Sequence, residues 1–255
     1  MSARFCLRGL ETAVNLEELD LGFNPLTDLG PLATLPALTA LNLDGTVAGL
    51  EALARLPGLR TLSLRSGGIE DLRPLAGLVS LVELDVGDNH IEDLSPLAGL
   101  RGLSVLRADH NRIGNLWPLA SLPGLGELSL RGNRIRRLDA LSGLARLRTL
   151  HVGGNEVTDV SALSGLTDLR ELGLAGNAIP DLRPLADLAG LRRLDLRGGE
   201  AEDVSPVRAL EALIWLHVGG SVIEDLTPLD GLGSLAVAGE EDRESPGDGV
   251  NAREH

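Results

Sequence analysis

The residues best suited to chemistry in this chain are arginines, and they are unevenly placed. Residues 101–151 hold nine Arg against three acids (Asp109, Glu127 and Asp139), a local charge of +6, while the whole chain carries −14. The remainder must therefore carry −20. Guanidinium groups gathered closely can hold carboxylates or phosphates through paired N–H donors. Arg107, Arg112, Arg131, Arg134 and Arg136 are the candidates, with His110 and His151 among them. An acidic protein segment fits such a patch. Nucleic acid does not, because the chain is acidic overall and no aromatic residues interleave the arginines for base stacking. A solvated charged face is the competing reading, since Glu83, Glu127 and Glu171 stand in the neighbouring sequence.

Catalytic constellations are missing. All 23 basic residues are Arg, so neither a lysine Schiff base nor a phosphate-loop lysine is available. The chain carries no C-x-x-C, H-E-x-x-H or G-x-S-x-G motif. Cys6 is the single cysteine, which excludes an internal disulfide. His90 and His110 with Asp88 and Asp109 are the nearest approach to a metal set, and loop residues of these types are more often simply solvated. No metal, cofactor or enzymatic activity is expected. The N-terminus lacks an apolar run of signal-peptide length, and no stretch approaches the ~18 apolar residues of a membrane span. The expected setting is the cytoplasm, with secretion open if the chain is a fragment.

The elements that must position the arginines follow from a repeat. Residues 80–101 read SLVELDVGDNHIEDLSPLAGLR, and the phrase returns at 58–79 and 168–189. Ten full copies begin near residues 15, 37, 58, 80, 102, 124, 146, 168, 190 and 212; the second is one residue short. Residues 1–14 read as a partial N-terminal repeat, 15–238 as the repeat array, and 239–255 as a disordered acidic tail with few apolar residues. Aromatics make up 2% of the chain, so Leu fills the interior. Such self-similarity marks a solenoid whose single core runs through every copy.

The period changes within each copy. The L-x-L pair alternates as a short strand with one buried face. The following D-L-x-P-L half suits a 3₁₀ or single helical turn with Asp as N-cap and Pro in the first turn. Asp93, Asp159, Asp181, Asp203 and Asp225 hold the capping place. Asn24, Asn89, Asn111, Asn133, Asn155 and Asn177 stand where the chain leaves the strand, able to satisfy buried backbone of adjacent turns. Thr46, Gly67, Gly199 and Ser221 replace Asn in the second, third, ninth and tenth copies, so the unbroken ladder runs from the fourth to the eighth.

Across residues 5–238 this pattern resembles the 22-residue class of leucine-rich repeats found in protein phosphatase-1 regulatory subunits and bacterial internalins. The resemblance implies a right-handed α/β superhelix with a concave parallel β-sheet and a convex side of 3₁₀ turns, short helical turns and loops. It also implies protein partners bound on the concave face. Residues flanking the strand leucines should then point to solvent, among them Asp85, Arg107, Asp109, Glu127, Arg131, His151 and Trp215. Arg112 and Arg134 should line the adjoining edge near His110, and Trp117 should shield a convex turn. Ten strands about 4.8 Å apart offer on the order of 800 Å², one side of a standard protein interface. The expected role is a non-enzymatic scaffold for a protein partner. The alternative is a recognition region of a larger enzyme or secreted effector. Oligomeric state is not legible.

Overall fold

The computed structural model describes residue 7 and residues 9–26, 28–46, 49–232 and 235–238; the acidic stretch 239–255 lies outside them. Each L-x-L pair forms a three-residue strand. The strands are β1 (Glu18–Asp20), β2 (Ala40–Asn42), β3 (Thr61–Ser63), β4 (Glu83–Asp85), β5 (Val105–Arg107) and β6 (Glu127–Ser129). β7 (Thr149–His151), β8 (Glu171–Gly173), β9 (Arg193–Asp195), β10 (Trp215–His217) and β11 (Ala236–Ala238) complete them. All eleven pair in parallel, in chain order, in one open sheet. Each residue of β3 meets the one 22 positions on in β4, whereas β2 meets β3 at an offset of 21, as the short second repeat requires.

The central leucine of β2 to β10 faces the interior, whereas β11, the last strand, has the exposed Val237 in that place. Leu84, Leu106, Leu128 and Leu150 have no exposed surface. The opposite wall consists of 3₁₀ turns such as Ser95–Leu97, each sending a leucine (Leu75, Leu97, Leu119, Leu141, Leu163 or Leu185) into the same core. Proline occupies the first turn of most of them, where its missing N–H would have no partner anyway.

The aspartates work one residue earlier than a formal N-cap. Leu94 holds the cap position of Ser95–Leu97, and the Asp93 Oδ1 before it accepts the Ser95 N–H at 2.8 Å. Asp159, Asp181, Asp203 and Asp225 repeat this two-residue reach, as do Asp28 and Asp71. A turn this short closes its first N–H through an Asx-type bond, which places the acid outside the helical turn.

These bonds set a pH dependence. Hydrogen bonds from Arg183 hold the Asp181 carboxyl down at about 2, against an ordinary 3.8. Asp71, Asp93, Asp203 and Asp225 are lowered in the same way by the residue two positions on. A folded-state pKa below the unfolded one gives stability that is present above the ordinary value and lost as pH falls through the lowered one. Asp85 acts in the opposite sense, because burial raises its carboxyl. Since the lowered set is larger, the urea midpoint should hold steady from pH 7 to 5 and fall between about pH 4 and 2. Replacing Asp181 by Asn should reduce that slope, which denaturation curves at each pH would show.

Past each of β1 to β10 the chain turns through a left-handed residue. Phe23, Ser66, Asp88 and His110 take φ values of 53–56° there, and Gly45, Gly132, Gly154, Gly176, Gly198 and Gly220 hold the equivalent places. The next residue is the ladder asparagine, except where Thr46, Gly67, Gly199 and Ser221 replace it. Asn133 Oδ1 accepts the Ile113 N–H at 2.9 Å, and its Nδ2 donates to the carbonyls of Ala108 and Leu130 at 3.0 Å. Asn89, Asn111, Asn155 and Asn177 make corresponding bonds, all of them buried. The fourth to eighth repeats are thus tied turn to turn by side-chain amides.

Candidate interaction surface

The concave sheet carries a polar network built across neighbouring strands. Near its start Asp44 Oδ1 accepts from Ser63 Oγ at 2.6 Å and from the Arg65 N–H at 2.8 Å. Arg65 then reaches on to Asp85 (3.3 Å) and Asp88 (2.7 Å). Asp109 repeats the role of Asp44, accepting from Ser129 Oγ and the Arg131 N–H, both at 2.6 Å. Asp85 gives its Oδ1 to the Gly87 N–H at 2.9 Å. Asp85 and Asp109 are therefore bound into the sheet's edge, where one oxygen of each holds a backbone N–H.

Mid-sheet, Arg107 of β5 meets Glu127 of β6 at 2.6 Å. One strand further, Arg131 Nη2 lies 2.8 Å from His151 Nδ1, and His151 Nε2 lies 3.3 Å from Glu171. The His151 contact holds the Glu171 carboxyl below its usual range, against the opposing effect of its own burial. The string Arg131–His151–Glu171 spans three adjacent repeats, from just past β6 to β7 and β8, since equivalent positions on neighbouring strands stand about 5 Å apart.

Several sequence expectations need correction here. The column between the strand leucines is not uniformly open to solvent, because Ser129 and His217 are buried. On a concave sheet the tips of neighbouring side chains converge and cover the smaller residues between them. Trp215 is half-buried and packs edge to face with His217, ring centroids 5.5 Å apart, so it is less free than an isolated anchor. Trp117 is 66% exposed and stands out from the convex turn more than it covers it. His110 lies over Gly132, where an added Cβ would meet its Nδ1 at 2.5 Å, so its ring leans along the rim and not toward His151.

The arginines also divide into two groups. Arg107 and Arg131 belong to the concave network. Arg134 instead lines an open cleft of about 580 Å³ with Arg136 and Arg137, beside Trp117. Arg136 pairs there with Glu156 (2.7 Å) and Arg137 with Asp139 (2.9 Å). Arg112 is half-buried on the rim. The first group was legible from strand alternation. The cleft had a signal too, in the place where a column of aspartates gives way to Asn115 and then to a basic residue, Arg137. Among the described residues no three His, Cys, Asp or Glu side chains converge as metal ligands, and no helix is long and apolar enough to cross a membrane.

The comparisons with known proteins agree with this geometry. The model of the family described as leucine-rich repeats (two copies) matches residues 14–55, 57–99, 123–165 and 145–187, together more than half the chain. Among curated protein sequences none matches. Among solved structures, an internalin (inlF) of Listeria monocytogenes is 32% identical with a TM-score of 0.83, over 89% of this chain and 68% of that one. Internalin C2 of the same organism is also 32% identical, with a TM-score of 0.70 over 75% of this chain and 84% of its own. A plant peptide hormone receptor, solved in complex with RGF2, shares the fold at 18% identity and a TM-score of 0.72, over 90% of this chain and 40% of its own. With its left-handed turns, amide ladder and eleven-stranded parallel sheet, the chain belongs to the leucine-rich-repeat family, and its repeats are of the internalin type.

Proposed function

We propose that the chain is a non-enzymatic scaffold that binds a protein partner on its concave sheet. Leucine-rich-repeat proteins are in general scaffolds for protein interaction, and the plant receptor with RGF2 uses this fold in recognition. The observation that carries the reading is the mid-sheet string Arg107–Glu127 and Arg131–His151–Glu171 on an open, regular face. Its groups are half-buried, so their guanidiniums are held in place yet reachable. Exposed ion pairs are worth only about 0–1 kcal/mol, so a partner's carboxylate can exchange for Glu127 at little cost. Trp215 lies on the same sheet toward its C-terminal end and supplies the aromatic contact that such faces favour.

An acidic partner segment matches this chemistry. Nucleic acid matches less well, because an overall charge of −14 opposes a polyanion. The test is recovery of partner by the tagged chain from its own cells, comparing wild type with Arg107→Glu/Arg131→Glu. The double variant should lose at least tenfold of a specific partner, and the wild-type complex should weaken as salt rises. Undiminished recovery by the double variant would remove the concave string from the account.

A further inference from the structure

The edge of the solenoid that follows the asparagine ladder is acidic almost throughout. Its Asx-turn column reads Asp28, Asp71, Asp93, then Asp159, Asp181, Asp203 and Asp225, with Gly49 in the short second repeat. Between Asp93 and Asp159 the column holds Asn115 and Arg137. The column just before it loses its acids at the same place, running Glu70, Glu92, Gly114 and Arg136, and after Thr158 and Pro180 it is acidic again at Glu202 and Glu224. Even the local ion pair is reversed. Asp71–Arg73 and Asp181–Arg183 run acid first, whereas Arg137–Asp139 runs base first.

At this break the structure places the cleft of about 580 Å³, with Leu116 and Ala140 as apolar lining and Trp117, Arg134, Arg136 and Arg137 around them. Trp117 is unusual within its own column. The equivalent residues are Gly30, Arg73, Ser95, Asp139, Ser161, Arg183, Ser205 and Thr227, none of them large and apolar. Ala140 stands where most repeats have Pro, as in Pro96 and Pro118. Arg136 and Arg137 have acidic partners, whereas the Arg134 guanidinium forms no ion pair among the described residues.

We propose that this cleft is a second docking site, which takes an extended acidic segment of a partner protein. A carboxylate of that segment pairs with Arg134, and an adjacent apolar side chain packs on Trp117. Tryptophan and arginine together dominate interface hot spots, because one supplies buried area and the other paired N–H donors. Acidic-motif recognition by clustered arginines is a recurring mode of peptide binding. The acidic rim on either side repels the ends of such a segment, which confines it to the break. The site is independent of the concave string, which shares none of these six residues.

The probe is the peptide acetyl-Glu-Asp-Leu-Asp-Glu-amide, titrated into the Trp215→Phe chain while Trp117 emission is followed. A saturable blue shift is expected, because the exposed indole loses water on binding. Arg134→Glu should weaken binding at least tenfold, and raising salt from about 50 to 300 mM should weaken it severalfold. Circular dichroism should show the fold unchanged, as Arg134 is exposed. The neutral peptide acetyl-Gln-Asn-Leu-Asn-Gln-amide should give no shift, and Arg107→Glu should leave the acidic peptide's affinity as it was. No saturable shift at millimolar peptide, or equal binding by Arg134→Glu or by the neutral peptide, would overturn the cleft assignment. Loss of the shift in Arg107→Glu would overturn it too, by moving the peptide to the concave sheet.

Discussion

Asn133→Ala should destabilise the protein by about 3 kcal/mol, as read from urea denaturation followed by circular dichroism. The side chain joins three turns. Its carbonyl accepts the Ile113 N–H, and its amide donates to Ala108, Leu130 and, at 3.2 Å, Arg131. Asn133 is 8% exposed, so water does not readily replace these bonds. A buried group left without a partner costs about 1–3 kcal/mol, and truncation orphans at least two here. Asn133→Asp separates the two halves of the role. It keeps an acceptor for Ile113 but sets a carboxylate oxygen against the carbonyls of Ala108, Leu130 and Arg131. Its penalty relative to wild type should therefore be larger at pH 7 than at pH 4, where a protonated acid can donate. In a solenoid each repeat is held by its neighbours, so a mid-array defect should also broaden the transition. A loss below ~1 kcal/mol for both variants would mean that the turns are held by the leucine core alone.

Much of this was readable before any coordinates. Alternation placed the strand leucines inside, and the repeat length put Arg107, Arg131 and His151 on one face. The asparagine column announced the ladder because a buried amide has few other reasons to recur every 22 residues. Periodicity fixes where a backbone position falls, however, and long side chains choose among several neighbours once there. Arg65 bridges to both Asp85 and Asp88, and Arg134 turns into the Trp117 cleft instead of joining Arg107. Neither choice is set by column membership, since an arginine reaches further than the spacing between repeats. Trp117 was misread for a related reason. A large apolar residue suggests burial, yet the residues equivalent to Trp117 (Arg73, Ser95, Asp139, Ser161, Arg183, Ser205 and Thr227) are all exposed, and the geometry of the turn overrides side-chain preference.

The same tension gives the other large effect. Gly67 stands in the asparagine column, so restoring Asn there would seem to extend the ladder and stabilise the third repeat. The structure predicts the reverse for Gly67→Asn and Gly67→Ala alike. A Cβ at residue 67 would sit 2.5 Å from the Thr46 backbone carbonyl oxygen, and 3.2 Å and 3.3 Å from Ile69 side-chain carbons. Thr46 is buried and lies in the one-residue-short second repeat, so its turn has little room to move aside. A backbone atom cannot rotate away as a side-chain tip can. Gly67 also donates its N–H to Asn89 Oδ1 at 3.0 Å, so shifting residue 67 would loosen the first rung of the existing ladder. Forcing one carbon into packed surroundings costs about 1–3 kcal/mol, and about 2 kcal/mol is expected for either variant. Gly77→Ala is the control: a Cβ there meets nothing within 4 Å, and its effect should stay within about 0.5 kcal/mol. Should Gly67→Asn match or exceed wild-type stability in urea, the short repeat must relax easily, and the column rule would outrank the local contact.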